Sequence, residues 1–557
     1  MMVREQENGP EVDAMKKLSV ILIILIFVFA ALSAIAESPT PTPTRVPTSA
    51  PTATPEELAD MVTPEETRVL IQPLETPDRL AGQMDMQPGS KYLALEWGVA
   101  AFRGNASRQN AACGTIMKGA ADHMAIQWDY RIAAEDGAAG QRFPWPGQPL
   151  IEKWSVEVRD LTRFSESFVP PAAMREVIVA DRDGTIYFLD LVSGQESRGP
   201  LKTGYPMQGG IALHPSGIPY MSAGRTDWNG QAALRQFNLY DMSEMQPVDG
   251  TGGIGGILSS ALIDRTTNVL IAGGMNGVLY KVDLNMDFDY RNGTVDVDPW
   301  VRAVKLSRDG AGFLAPVSAL SDWIYCADTA GILRCVRSAA MKTEWEKDLG
   351  DAVVSAVALD SREDRTALYA ANTLTHRKEG SAAVFCLDAQ TGTEYWHREF
   401  PVEKQAGTQD GFCGFAASPV VGREELDGYV YYTVNGLSPE GRKDLGLAGT
   451  EDSALIAMDK ETGETAWACG ISGSCVSSPV AVYGSDGGGR IIQCSPDGRI
   501  ILLDGKHGTV LDELRVSGSV AMSPAVYRDM LVIASTGEDG AHIYGIGLET
   551  NSEENGQ

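Results

Sequence analysis

The stretch Leu387–Trp396 reads LDAQTGTEYW, and Met458–Trp467 reads MDKETGETAW. Both place an Asp, a Thr-Gly pair and a Trp at the same offsets. An Asp at a strand end caps the following turn with its carboxylate. Gly392 and Gly463 supply the positive φ that a tight turn needs. Trp396 and Trp467, four residues past each Gly, open a new strand and bury a large ring. Looser copies lie at LDLVSG (Leu189–Gly194) and LDGKHG (Leu503–Gly508), and VRSAAMKTEW keeps Trp345 at the same offset without the Asp and Gly.

Two further elements recur ahead of the phrase. The first is a hairpin signal, Asp183-Gly184, Asn276-Gly277 or Asp497-Gly498 between apolar runs, which predicts type I′ turns. Before the hairpin comes a short strand of small residues, often with Ser-Pro, as in AASPVVG, VSSPVAV and AMSPAVY. The order is therefore strand A, hairpin B–C, a turn, strand D with its Trp, then the next A. Hairpins begin near Val177, Gly217, Asn268, Trp323, Ala367, Tyr429, Arg490 and Met530. Four-stranded units at this period read as propeller blades. The expected fold is all-β, an eight-bladed β-propeller, with seven blades as the fallback because the Gly217 unit is poorly marked. The last unit has no D strand of its own. MAIQWDYRI (Met124–Ile132), with Trp128, is an orphan D-like strand at the other end. Pairing it into the last blade closes the ring and removes both open edges.

The bulk numbers agree with a globular, turn-rich chain: 557 residues, 43% hydrophobic, with 59 glycines. A formal charge of −28 argues against a nucleic-acid partner, which needs a basic footprint. Lys16-Lys17, the apolar run Leu18–Ala36 and the small-x-small Ala34-Ile35-Ala36 have the order of a secretory signal. Residues 1–36 are thus expected to be a cleaved signal peptide or a retained membrane anchor. Either way the remainder is extracytoplasmic, secreted or at the cell surface, and meets a membrane only through the uncleaved segment. Residues 37–90 read as a Pro/Thr-rich linker, 91–123 as a lead-in, 124–550 as the propeller and 551–557 as a disordered tail.

The repeated phrase, the Asp-Gly hairpins and the Ser-Pro strands together resemble the quinoprotein repeat, the pyrroloquinoline-quinone-like β-propeller of secreted bacterial proteins. AFRGNASRQNAACGT (Ala101–Thr115) resembles the lead-in that precedes the first Trp strand in that family. The resemblance implies one of two roles. Some members are quinone-dependent alcohol and sugar dehydrogenases. Others are non-catalytic scaffolds, such as an outer-membrane assembly lipoprotein. The dehydrogenases would bring pyrroloquinoline quinone, calcium held by Glu, Asn and Asp, and an adjacent Cys-Cys pair. No two cysteines are neighbours here, and no such calcium set can be placed. The acidic stretch from Asp283, DLNMDFDYRNGTVDVD, lacks the Gly at its sixth position and the Glu at its twelfth that a calcium loop needs; a solvated strand end and loop is the plainer reading. The six histidines show no metal spacing. No catalytic residue, metal site or cofactor is expected. The leading expectation is a binding scaffold; the alternatives are a quinone-dependent dehydrogenase and a glycan-binding or polysaccharide-active surface protein.

Two local expectations remain. If Ala330-Gly331 are the central turn residues, Cys326 and Cys335 face each other and a cross-strand disulfide is possible; otherwise both are thiols packed as small apolar groups. Long insertions fall mostly in the B–C and D–A loops, which share one face. Arg225, Trp228, His376, Arg377, Arg442 and Lys443 lie on them. Function gathers on loops held by a rigid scaffold, so these are the candidate binding residues for an acidic glycan or protein; the alternative is that they are only solvated.

Overall fold

A computed structural model describes residues 84, 86, 98–132, 143, 147–207, 210–225, 231–254, 256–362, 364–377, 379–404 and 413–550. The expected segments 1–36 and 551–557 lie outside these residues, as does most of 37–90. Met84 and Met86, at the end of the expected linker, are buried against blades three and four. Among the described residues no helix is long and apolar enough to cross a membrane.

Eight antiparallel sheets follow one another along the chain, and each is a blade. B strands begin at Glu176, Tyr220, Val269, Trp323, Thr366, Tyr429, Gly489 and Met530. The weakly marked second unit is therefore a true blade. Its D strand, Val248–Ile254, carries no Trp, which is why the phrase is missing there. The strand His123–Ile132 pairs antiparallel with Gly540–Glu549, so the N-terminal strand completes blade eight and closes the ring.

The repeated phrase is a latch between blades. The Trp396 indole N–H donates to the Lys460 carbonyl at 2.9 Å, in the C–D turn of the next blade. Gly463 sits under the ring, where a Cβ would meet it at 2.6 Å, and φ there is +72°. Glycine is thus required twice over, for backbone conformation and for room. Trp128 repeats the contact with Leu191 and Gly194, Trp345 with Ala389 and Gly392, and Trp467 with Gly505 and Gly508. Asp388 and Asp459 cap their turns by accepting the amides of Thr391 and Thr462 at 2.7 and 2.8 Å. Trp128 and Trp396 are buried, whereas Trp345 and Trp467 are half-buried.

Blades one, three and seven keep the junction with other chemistry. Arg198 of blade one donates to the Leu239 carbonyl of blade two, and Arg302 of blade three to Ala339 of blade four at 3.1 Å. Blade eight has no C–D turn, because its D strand arrives from the N-terminus. There Asp512 replaces the donor with an acceptor and takes the Met124 amide at 2.7 Å.

The hairpins correct one expectation. Gly184, Gly277, Gly331 and Gly498 have positive φ, while Asp183, Asn276, Ala330 and Asp497 do not. The Asp328 amide donates to the Ile332 carbonyl, and that of Gly331 to Asp328. These are three-residue loops, a type I turn followed by a left-handed Gly, rather than type I′ turns. The extra residue shifts the register by one. Cys326 is opposite Arg334, and Cys335 is opposite Tyr325. A one-residue shift sends a side chain to the other face, so the two thiols enter different cores. The Cys326–Cys335 disulfide does not form; both are buried free thiols, and burial raises Cys326 to about 12.

Trp396→Ala removes the buried ring and the indole bond and should cost roughly 3–5 kcal/mol in chemical denaturation. Gly463→Ala should cost roughly 2 kcal/mol through strain and clash. The double variant should cost clearly less than the two together, because the missing ring leaves room for the new methyl. Strict additivity would show that ring and glycine do not share one contact.

Candidate functional site

In every blade the A strand is innermost and turns its free edge to the axis. The lead-in runs round this inner rim. Gly98 pairs with Glu152 of blade one, and the Ala100 carbonyl accepts the Leu213 amide of blade two. Phe102 donates its amide to Ser260 of blade three. The carbonyls of Ala106, Ser107 and Gln109 accept the amides of Ala319, Leu359 and Val421 in blades four to six. The Asn110 side chain accepts from Ala481 of blade seven, and the Ala111 carbonyl from Val526 of blade eight. One segment thus touches all eight blades in chain order.

Two arginines fix it. Arg103 and Arg108 are fully buried, and both adopt left-handed backbone conformations, at φ 57° and 53°. Arg103 donates to the carbonyls of Pro479 and Pro419 at 2.7 and 2.8 Å. Arg108 donates to Val317, Phe102 and Ser260 at 2.9, 2.5 and 2.7 Å. Burial lowers both guanidinium groups to about 9, so they remain cations at neutral pH. Their charge is met by carbonyl dipoles rather than carboxylates.

This explains the Ser-Pro motif. The hydroxyls of Ser418, Ser478 and Ser523 accept the amides of Ala356, Ser418 and Ser478 in the preceding blades, at 2.9, 3.0 and 3.0 Å. Of the prolines that follow, Pro419 and Pro479 offer their carbonyls to Arg103 and have no N–H to oppose the cation. Above the plug a cavity opens at the starts of the A strands, lined by residues that include Phe102, Leu258, Ser260, Pro316, Ser418 and Ser478. Among the described residues no ionisable side chain lines it.

Five of the six expected binding residues, Arg225, His376, Arg377, Arg442 and Lys443, lie on the loop face around this cavity, but only some come together. His376 and Arg377 sit in the B–C connection of blade five. Arg442 and Lys443 lie on a short helix, Pro439–Asp444, in that of blade six. Arg225 is on blade two, its guanidinium 5.3 Å from the Tyr205 ring centre. Trp228 lies outside the described residues. His376 and Arg377 are held in place by a carboxylate with no exposed side-chain surface: Asp351 accepts the amides of Ala352, Thr375 and His376 at 2.7, 3.1 and 3.0 Å. It also faces the Arg377 guanidinium at 3.3 Å. The His376 ring lies 2.8 Å from the Thr329 carbonyl. Both side chains therefore brace the loop, whereas Lys443 is exposed.

A family model described as outer membrane protein assembly factor BamB matches residues 329–544. An outer membrane protein assembly factor BamB of Alteromonas naphthalenivorans is 26% identical over 174 residues, which is 31% of this chain and 37% of that protein. The match thus spans little more than a third of the relative's length. A europium-containing methanol dehydrogenase superposes with a TM-score of 0.56 at 12% identity, over 82% of this chain and 99% of that one. The quinohemoprotein alcohol dehydrogenase of Comamonas testosteroni does so at 0.54 and 12%, over 84% of each chain. This chain is an eight-bladed β-propeller whose repeats are similar to those of the quinoprotein type.

Identities this low speak for the fold alone, so the propeller's chemistry must be read from its own residues. Calcium takes six to eight oxygens, mostly from carboxylates and carbonyls. Among the described residues, the cavity of this propeller offers serine hydroxyls and apolar groups, and the arginines beneath are spent on carbonyls. These residues do not fit a calcium–quinone pair. Among the described residues no cluster of His, Cys, Asp or Glu could hold a metal ion.

Sequence reasoning missed Arg103, Arg108 and Asp351. The arginine pair had a signal, two cations in an otherwise uncharged segment, Ala101–Ile116. Asp351 had none, because its role depends on a loop more than twenty positions away. Asp351→Ala should cost roughly 1–3 kcal/mol, since it strands buried amides and a guanidinium. Limited proteolysis should then cut first near Arg377. An unchanged digestion pattern would mean that the loop is held by something else.

Proposed function

We propose that this propeller is a non-catalytic binding scaffold that works outside the cytoplasm, with a protein or a glycan of the cell envelope as its partner. The observation that carries this reading is the plugged axis. The axis is filled by the lead-in, whose arginines bond carbonyls through both terminal nitrogens of Arg103 and all three of Arg108, and among the described residues the cavity above it has no carboxylate. The match to an outer membrane assembly factor supports a protein partner and an envelope location. The apolar run Leu18–Ala36 supports export, as a signal or as the only membrane contact. The net charge of −28 speaks against nucleic acid. The exposed Lys443 and the half-buried Arg442 are the loop-face groups best placed to meet an acidic glycan or protein.

The second reading, a quinone-dependent dehydrogenase, is favoured by the likeness to the methanol and alcohol dehydrogenases. Adding pyrroloquinoline quinone with calcium and following dye reduction with alcohols and aldoses separates the two. Rates at the level of the untreated protein are expected. Turnover well above that level would overturn the scaffold reading. A glycan array tests the third class, and specific retention of a polysaccharide there would replace a protein partner with a glycan.

A further inference from the structure

The face opposite the expected binding loops carries A–B and C–D turns. Two of them are enlarged, and they meet. Blade one leaves its A strand through a short helix, Val156–Leu161, and an irregular stretch to residue 175. Blade three extends its C–D turn into a separate hairpin, Met286–Asp289 with Thr294–Val297. The Leu161 side chain lies 3.3 Å from where a Cβ would stand on Gly293, at the hairpin turn. The Arg163 amide donates to the Tyr240 carbonyl of blade two, which bridges them. The result is one outcrop across blades one to three.

Its surface is unlike that of a solvated turn. Val156, Leu161, Val169 and Tyr290 are exposed, at 54%, 41%, 85% and 47%. Met286, Phe288, Val295 and Val297 turn inward onto the core. The outward face of the hairpin is left to Asp287, Asp289, Thr294 and Asp296. Asp287 stands directly opposite Asp296 across the strands, and both are exposed. Like charges in that position weaken a hairpin. Among the described residues neither carboxylate has a basic ion-pair partner. Across residues 283–298 there are five Asp against one Arg. Asp289 is spent on its own turn, accepting the amides of Arg291 and Asn292. The carboxylates therefore do not converge as a cation cage would require.

We propose that this outcrop is a docking surface for a partner protein's segment that carries basic and apolar side chains together. The basic groups would relieve the Asp287–Asp296 opposition, and the apolar ones would cover Leu161, Val156 and Tyr290. The proposal deepens the scaffold reading by naming a partner surface away from the loop face. It does not depend on the outcome of the dye-reduction assay.

The probe is a twelve-residue peptide of alternating Lys and Leu, with Lys–Ser and Glu–Leu peptides of the same length beside it. Each is titrated against the full chain by fluorescence anisotropy. The Lys–Leu peptide should bind at least about tenfold more tightly than the other two. Asp287→Asn with Asp296→Asn should weaken it by about tenfold, as should Leu161→Ser with Tyr290→Ser. Removing two exposed acids elsewhere, Glu399→Gln with Glu440→Gln, should leave it within about twofold. The Asp287→Asn/Asp296→Asn chain should also unfold at a higher temperature, because the repulsion is gone. Equal loss in the Glu399/Glu440 control would reduce the effect to general attraction of a polycation. Equal binding of the Lys–Ser peptide would remove the apolar half of the claim. Displacement of the peptide by millimolar calcium in the unaltered chain, together with calcium binding lost in the double Asn variant, would make the hairpin a cation site. A lower unfolding temperature for that variant would make the carboxylates structural. Any of these results overturns the proposal.

Discussion

Eight inner strands turn an unpaired edge toward the axis of this molecule, and backbone groups left without partners there would be costly. The lead-in, Gly98 to Cys113, answers that constraint by bonding to one inner strand after another round the ring. Its own path is strained at Arg103 and Arg108. Strain of this kind persists only where the surroundings over-determine it, and here the guanidinium groups supply the restraint. They gather carbonyls from blades three, four, six and seven, so that blades distant in sequence share the same two cations.

The outer part of the ring is held differently. Each Trp latch joins one blade to the next through a ring, an indole N–H and a glycine, and it carries no charge. In blades one and three, an arginine donates to the same kind of carbonyl instead. At the closure, where no turn exists to accept, the chain supplies an aspartate to an amide. The donor–acceptor relation of the junction is kept while the residue type changes. The inner belt of serine hydroxyls repeats the idea near the axis, each taking an amide from the blade before it.

The architecture was legible because its signals are local. A ten-residue phrase, a Gly at a turn and an orphan Trp strand gave the blade order and the closure through His123–Ile132. The hairpin type was not legible: Asp-Gly suits both a two-residue and a three-residue loop, and choosing the shorter one put Cys326 opposite Cys335 instead of Arg334. Three of the expected binding residues were legible as loop positions only. His376 and Arg377 brace their loop on Asp351, and Arg225 packs on Tyr205. A basic side chain on a loop looks the same in sequence whether it faces a partner or a buried carboxylate. The outcrop on the opposite face was visible as an acidic run, but its meeting with the helix of blade one is a product of ring geometry.

The central claim is that the lead-in binds the eight blades as one body. Hydrogen exchange with mass spectrometry on Arg108→Ala tests it most directly. The amides of Leu213, Ala319, Leu359, Val421 and Val526, all bonded to the lead-in, should lose protection together, well beyond the blades that Arg108 touches. Loss confined to the inner strands of blades three and four would contradict the account, and would show each inner edge to be satisfied on its own.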